Sequence, residues 1–362
     1  MFPISEHSHL QANYMQKLLS ICIPTFNRSS YLNTCLNSIV EQLDDYSWAQ
    51  IELIVIDNNS PDDTEYIVKS FVDKGFPVQY YKNKTNIGLD GNLTRAFDVA
   101  SGKYVQVLGD DDIWIKGKIK DLLTFLKNND CGVIYLKPYS FTSDELPHIL
   151  PRTQKYDVFY DSNEFVYNIN IMITFTSSNI VNKTIVVQND NFVLDRFLGT
   201  EVNLLNWIFT ALLNTKCNVI TKDYFIGSKA DNNSGYKFFK VFGTNFNIVL
   251  DYFLKNGLKT YVARRINYML TVYFFPKYLT KIDSSNWTYD DNLDEIKSFL
   301  KTYRGADQLN KIFLMSIIDK KATPFSADIF KIIIESYNRV KTKSKQLFGR
   351  LGGQIKVLKI EE

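Results

Sequence analysis

The chain has 362 residues, is 45% hydrophobic and 14% aromatic, and carries a formal net charge of +3. That is enough chain for two domains with real cores, which excludes disorder, and no apolar run reaches a membrane span: the longest, near Ile266 to Pro276, is broken by Asn267 and Thr271. Cys22, Cys35, Cys131 and Cys217 show no CxxC spacing and there are three histidines, so a zinc site is not expected.

Met1 to Lys17 is polar and lacks the basic-then-apolar pattern of a signal peptide, which leads to the expectation of a cytoplasmic protein. Leu18 to Pro24 is an apolar run stopped by proline and reads as a buried strand. Leu32, Cys35, Leu36, Ile39, Val40 and Leu43 form the stripe of an amphipathic helix, with Ser29 or Ser30 as N-cap. Ile51 to Ile56 is a second strand. Ser60-Pro61-Asp62-Asp63 reads as a helix start, with a capping serine, a first-turn proline and two acids. Ile67, Val68, Phe71 and Val72 give that helix its buried face. Val78 to Tyr81 is a third strand, and Leu93, Ala96, Phe97 and Ala100 make a helix closed by Gly102. A further strand follows from Lys103, then a helix over Ile119 to Leu126 and a strand over Val133 to Leu136.

The alternation of strands and helices over the first 137 residues predicts an α/β fold with a mostly parallel sheet flanked by helices. In such sheets ligands bind outside the carboxyl ends of the strands. Three polar clusters fall there: Pro24-Thr25-Phe26-Asn27-Arg28, Asp57-Asn58-Asn59-Ser60 and Asp110-Asp111-Asp112. Three carboxylates in a row at a strand end repel one another. A hard divalent cation, with its preference for oxygen ligands and phosphate bridges, is their natural partner. An acidic turn that merely caps the next helix is the plainer alternative. Neither GxGxxG nor GxxxxGK[ST] is present, so a nucleotide would be held by other means.

The series Ser20-Ile21-Cys22-Ile23-Pro24-Thr25-Phe26-Asn27-Arg28, Leu53 to Ser60 with Asp57-Asn58-Asn59, Asn86-Ile87-Gly88 with Asn92, and Ala100-Ser101-Gly102-Lys103-Tyr104 leading into Gly109-Asp110-Asp111-Asp112 resembles the glycosyltransferase family 2 signature. The versions Ile-Gly-Leu-Asp-Gly-Asn and Leu-Gly-Asp-Asp-Asp are most similar to the abequosyltransferase-like subgroup, which builds bacterial surface polysaccharides. The resemblance is strong over residues 18–140, faint to 235 and absent beyond. It implies a GT-A, Rossmann-like fold, a nucleoside-diphosphate sugar donor, a saccharide acceptor that can be lipid-linked, and Mg²⁺ or Mn²⁺.

Carried over by position, the resemblance puts Pro24, Thr25, Phe26 and Asn27 around the nucleobase, with Asp57 and Asn58 at the base-reading pair. An amide at Asn58 can match cytosine from both sides, which leans toward a CDP-linked donor. Asn86, Gly88 and Asn92 would lie near the ribose and diphosphate, with Asp110 toward the ribose. Gly109 stands where the commoner form of the motif has its first acid, so Asp111 is the expected direct metal ligand, with Asp112 close by. Arg28 and Lys103 read as solvated surface charges.

Past residue 140 the pattern weakens. Phe141 to Tyr160 reads as an irregular excursion. Ile169 to Val181 is β-branched and apolar and predicts a strand. The resemblance makes this the acceptor side, with Thr176, Ser177 and Ser178 available to sugar hydroxyls. Val202, Leu205, Ile208, Phe209 and Leu212 make a helical stripe that Glu201 opens, with Thr200 as cap. An inverting enzyme needs a general base there, and the candidates narrow to Glu201, with Asp195 as the alternative. In the polar loop Lys229 to Gly235, where relatives often place a ligating histidine, Asp231 is the replacement.

Beyond Tyr236 the sequence turns aromatic, helical and basic. Residues 236–362 hold 22 Lys+Arg against 12 Asp+Glu, leaving 20 against 27 in the first 235. The expected organisation is an extension over 1–17, a catalytic domain over 18–235 that changes at 137–138 from donor half to acceptor half, and a helical basic region over 236–362. Lys331 to Arg350 is basic beside an isoleucine stripe, a pattern suited to peripheral contact with an anionic membrane. No nucleic-acid partner is expected. A nucleotidyltransferase and a non-catalytic nucleotide-sugar module on the same fold stay open as alternatives.

Overall fold

The computed structural model describes residues 17–142, 153, 155–230, 237–279, 292–303, 305 and 308–319. They fall into two compact units, one within Met1–Phe165 and Met172–Ala230, the other within Val166–Ile171 and Asp231–Glu362.

The first unit is built on a sheet of β1 (Leu19–Thr25), β2 (Ile51–Asp57), β3 (Val78–Lys82), β4 (Tyr104–Val107), β5 (Ile113–Trp114), β6 (Val133–Phe141), β7 (Tyr156–Phe159), β8 (Asn179–Asn182) and β9 (Asn218–Lys229). The order is β3-β2-β1-β4-β8-β6-β9-β5, with β7 also paired to β9. From β3 to β4 all neighbours are parallel, and β6 and β9 are parallel too. The short β5, β7 and β8 run antiparallel to their partners. The sheet is mostly parallel, as the alternating pattern predicts. β1 and β2 read as unbroken apolar runs because helices cover both of their faces.

Helices α1 (Ser29–Val40), α2 (Asp45–Trp48), α3 (Thr64–Asp73), α4 (Gly88–Val99), α5 (Lys118–Asn128), α6 (Ser162–Ile169), α7 (Lys183–Val187) and α8 (Leu204–Leu213) complete the series up to β9. On one face Leu32, Leu36 and Ile39 of α1, Val68 and Phe71 of α3 and Leu122 of α5 pack on Ile21, Ile23, Leu53 and Val55. On the other, α4 lies against β1, β2 and β4. Phe97 of α4 stacks on Trp207 of α8 at 4.7 Å between ring centroids. Burying large aromatic faces in this way is among the stronger single contributions to such a core.

Several local expectations are corrected. Ile169 to Val181 is not one strand: α6 runs to Ile169, two 3₁₀ turns follow, and only Asn179–Asn182 pairs in the sheet. Asn170 has a left-handed backbone (φ 46°), and the Asn179 amide donates to the carbonyls of Ile173 and Phe175, curling the chain back on itself. The segment Phe141 to Tyr160 contains β7. Ser60 is not the cap of α3, which begins at Thr64; the Asp62 carboxylate accepts both Thr64 N–H and Ser29 N–H and so serves two helix starts. Gly102 does not close α4. Lys183 does, its ammonium donating to the carbonyls of Phe97, Asp98 and Ala100 at 2.7, 2.8 and 2.7 Å.

In the second unit, α9 (Phe246–Leu254), α10 (Thr260–Met269), α11 (Phe275–Leu279), α12 (Leu293–Thr302) and α13 (Gln308–Ile318) are described α-helices, with π-helical turns over Lys240–Asn245 and Leu270–Phe274. Phe239, Phe275, Phe299 and Tyr303 form its aromatic core. A cavity of about 720 Å³ beside it is lined by Asn247, Arg264, Asn267 and Tyr268 among others. No described helix is long and apolar enough to cross a membrane. Asp231 and the basic segment Lys331 to Arg350 lie outside the described residues.

Candidate active site

The parallel register aligns Thr25 with Asp57 across β1 and β2, and Cys22 with Val107 across β1 and β4. The three polar clusters therefore emerge at one edge of the sheet. Gly109-Asp110-Asp111-Asp112 turns between β4 and β5, with Asp112 N–H bonded to the Gly109 carbonyl at 3.1 Å.

Asp110 is buried. Its carboxylate accepts from Thr25 Oγ1 at 2.8 Å and from Arg28 Nη1 at 3.0 Å. The same Arg28 nitrogen lies 3.1 Å from Asp111 Oδ2. Burial pushes Asp110 up to about 6, against the pull of Arg28 and with the repulsion of Asp111. Asp112 is pushed up to about 7, by burial first and by Asp111 next. Asp112 is used inside the protein: it accepts from Ser177 Oγ and from Lys229 N–H, the latter at 3.0 Å, and so ties the acidic turn to the 3₁₀ turn before β8 and to the end of β9. Of the three acids Asp111 is the most exposed, at 16% of its side chain against 5% for Asp110. Among the described residues no three His, Cys, Asp or Glu side chains are arranged to hold a metal ion.

Arg28 is thus not a solvated surface charge. It spans two carboxylates more than eighty positions away, and its guanidinium carbon lies 5.5 Å from the Tyr31 ring centre. Lys229 places its ammonium 5.0 Å from the same ring. Arg28, Tyr31 and Lys229 make a cationic flank that sequence reasoning missed. The spacing of Arg28 and Tyr31, one helical turn apart, was the available signal. Lys103 pairs with Asp130 instead.

The next layer is an amide network. Asn58 N–H bonds to the Thr25 carbonyl at 2.9 Å, linking it to the acidic turn. The Asn58 side chain donates to Asn86 Oδ1 at 2.8 Å and to the Gly88 carbonyl at 3.2 Å. It accepts from Asn83 Nδ2 at 2.8 Å and from Ile87 N–H at 2.9 Å. Both donors and the acceptor are spent on shaping the 83–88 loop, which removes the argument that Asn58 reads a cytosine edge. Asp57 is likewise occupied, by Ser60 N–H at 2.8 Å and Tyr80 Oη at 2.6 Å. Asn92 is buried, donating to the Ile56 carbonyl and accepting from Asn83. Gly88 opens α4 with φ 77°, a conformation a side chain resists. Phe26 is 42% exposed at the end of β1, Pro24 is half-buried, and Asn27 is exposed with φ 54°.

On the remaining side, Ser177 and Ser178 are buried. The Ser177 hydroxyl is taken by Asp112 and by Gly109 N–H, and Ser178 lies beside Tyr135, so neither is presented to a sugar. Thr176 is half-buried. Glu201 precedes α8 by three residues rather than opening it; its backbone is left-handed (φ 61°) and its N–H bonds to Asp90 Oδ2 at 2.6 Å. Asp195 is exposed, and Arg196 donates to the Asn191 carbonyl.

A glycosyl transferase family 2 model matches residues 20–188. This chain carries a glycosyltransferase family 2 domain. The match takes in β1 to β8 and hence the acidic turn, the amide network and α4. Abequosyltransferase RfbV of Salmonella typhimurium is 35% identical over 133 residues, 36% of this chain and 39% of the relative. The GalNAc(5)-diNAcBac-PP-undecaprenol beta-1,3-glucosyltransferase of Campylobacter jejuni is 35% identical over 106 residues, 29% of this chain and 33% of the relative. The chain thus aligns with well under half the length of these relatives. The crystal structure of Staphylococcus aureus TarS 1-349 in complex with UDP-GlcNAc superposes with a TM-score of 0.58, at 17% identity, over 89% of this chain and 92% of that one. The family 2 domain therefore sits in a GT-A-like fold.

Proposed function

We propose that this chain moves a sugar from a nucleoside-diphosphate donor to a saccharide acceptor during assembly of a bacterial surface polysaccharide, with inversion at the anomeric carbon. The observation that carries the reading is the acidic turn Gly109–Asp112, bonded through Thr25 to the Asn58–Asn86 network at one sheet edge within a family 2 domain. The named relatives, one of which acts on an undecaprenol-linked saccharide, support the substrate class and a lipid-linked acceptor.

The donor set fits a divalent cation. Asp110 and Asp111 share one guanidinium, with Asp112 next in the chain, so negative charge is in excess, and carboxylate oxygens are hard ligands suited to Mg²⁺ or Mn²⁺. Asp111 would anchor the ion, completed by donor phosphates and water, with Asp110 next to it; Asp112 has its oxygens committed elsewhere. A cation bound there would supply Lewis-acid stabilisation of the leaving diphosphate. The chain does the rest. Arg28 and Lys229 offer positive charge to the diphosphate. Phe26 offers an aromatic face to the base. Glu201 takes the proton from the acceptor hydroxyl as it attacks, with Asp195 as the alternative base. The basic segment Lys331 to Arg350 would bring the enzyme to the inner membrane surface that presents a lipid-linked acceptor.

A thermal-shift screen of UDP-, CDP-, GDP- and dTDP-sugars with and without Mn²⁺ tests this reading, because a ligand bound only by the folded state raises the melting temperature. One nucleotide class should raise it, and more so with Mn²⁺. No response to any nucleotide sugar, with or without metal, would contradict the reading.

A further inference from the structure

In the motif Ile87-Gly88-Leu89-Asp90-Gly91-Asn92 the acid, Asp90, is not used by the donor site. Asp90 lies in the first turn of α4 and is 5% exposed. Its carboxylate points across to the turn before α8, accepting Glu201 N–H at 2.6 Å and Asn203 N–H at 3.2 Å. The Thr200 N–H closes the same turn on the Phe197 carbonyl at 3.1 Å. One turn further along α4, Thr94 Oγ1 accepts from Asn203 Nδ2 at 2.8 Å. The turn from Gly199 to Asn203 is therefore wrapped around two side chains of one helix face. Glu201 holds a left-handed backbone inside it, which a non-glycine residue keeps only when its surroundings enforce it.

The same helix begins at Gly88, the carbonyl of which is held by Asn58. Helix α4 thus connects the loop shaped by the amide network to the turn that carries Glu201. We propose that Asp90 is a positioning residue: it fixes the Glu201 turn so that the base is set relative to the donor loop. The inference rests on the proposal that Glu201 is the base.

A double-mutant cycle in the full chain tests it, using the donor that the wild type turns over fastest from a panel of UDP-, CDP-, GDP- and dTDP-hexoses and deoxyhexoses. Asp90→Asn should lower kcat by about 10- to 100-fold with donor KM nearly unchanged, the pattern of a lost transition-state interaction. In a Glu201→Gln background the same change should cost less than about twofold, because groups acting as one unit are not additive. If Asp90→Asn does not fold, Thr94→Val, which removes the Asn203 anchor and the Thr94 hydroxyl's bond to the Asp90 carbonyl but keeps the Asp90 carboxylate, should show a smaller kcat loss with the same non-additivity. Equal losses in both backgrounds, or a loss carried by donor KM, would overturn the positioning role while leaving the base in place. Near wild-type transfer by Glu201→Gln, or no turnover of any donor by the wild type, would remove the reading beneath it.

Discussion

Arg28 Nη1 lies 3.1 Å from Asp111 Oδ2 while bonding Asp110 at 3.0 Å, so one guanidinium holds together the two acids best placed for a cation. Without a cation, this pairing offsets part of the negative charge of that turn. Arg28→Gln should lower stability in EDTA by about 1 kcal/mol, at the low end for a charged hydrogen bond because the side chain is 31% exposed. Mn²⁺ should restore more stability to this variant than it adds to the wild type. Urea melts with and without Mn²⁺ measure both; identical responses in the two proteins would separate Arg28 from the cation site.

Asp111 and Asp112 should fail differently. Asp111→Asn should fold normally and lose divalent-ion stimulation together with most turnover. Asp112→Asn disturbs the bonds to Ser177 and Lys229 and should first lower the melting temperature. Calorimetry of both variants beside a transfer assay distinguishes them, and an Asp111→Asn enzyme with unchanged metal response would reassign the ligand.

The raised carboxyls give stability a pH slope. Asp110 and Asp112, at about 6 and about 7, hold protons more tightly folded than unfolded, where the ordinary value is 3.8. Their contribution is fully present below the unfolded value and is lost as pH rises through the folded ones. In EDTA the melting temperature should therefore fall between about pH 4 and 7. Asp112→Asn should flatten that fall, and a slope identical to wild type would contradict the assignment.

Lys183 makes a prediction about α4, the helix that links both halves of the site. Its ammonium satisfies three carbonyls at the helix end, in a place where burial lowers its proton affinity. Lys183→Met keeps the stem and removes the bonds, and should cost about 1–3 kcal/mol, the range for hydrogen bonds to a charged group and for a stranded buried acceptor. Urea unfolding monitored by circular dichroism measures it; an unchanged midpoint would mean water replaces the cap.

The fold was legible wherever burial imposes a simple pattern. β1, β2 and β3 fall within a residue or two of their apolar runs, and α1 buries the stripe from Leu32 to Val40. What escaped depends on partners far away in sequence. The bond between Arg28 and Asp110 spans 82 positions and that between Asp90 and Glu201 spans 111, and neither leaves a local period. Thr200-Glu201 looks like a helix start, yet Asp90, accepting Glu201 N–H and Asn203 N–H, holds it as a turn, and α8 begins only at Leu204. Asn58 looked like a ligand because an isolated amide has free donors. In the fold they belong to Asn86 and Gly88.

The most direct test of sugar transfer at this site is to follow the reaction of a stabilising nucleotide sugar and a lipid-linked saccharide by NMR, with Mn²⁺ removed from the sample before the spectrum. The account predicts nucleoside diphosphate and a new glycoside of inverted anomeric configuration, formed with Mn²⁺ and not in EDTA. Release of pyrophosphate, retention of configuration, or equal product in EDTA would contradict it.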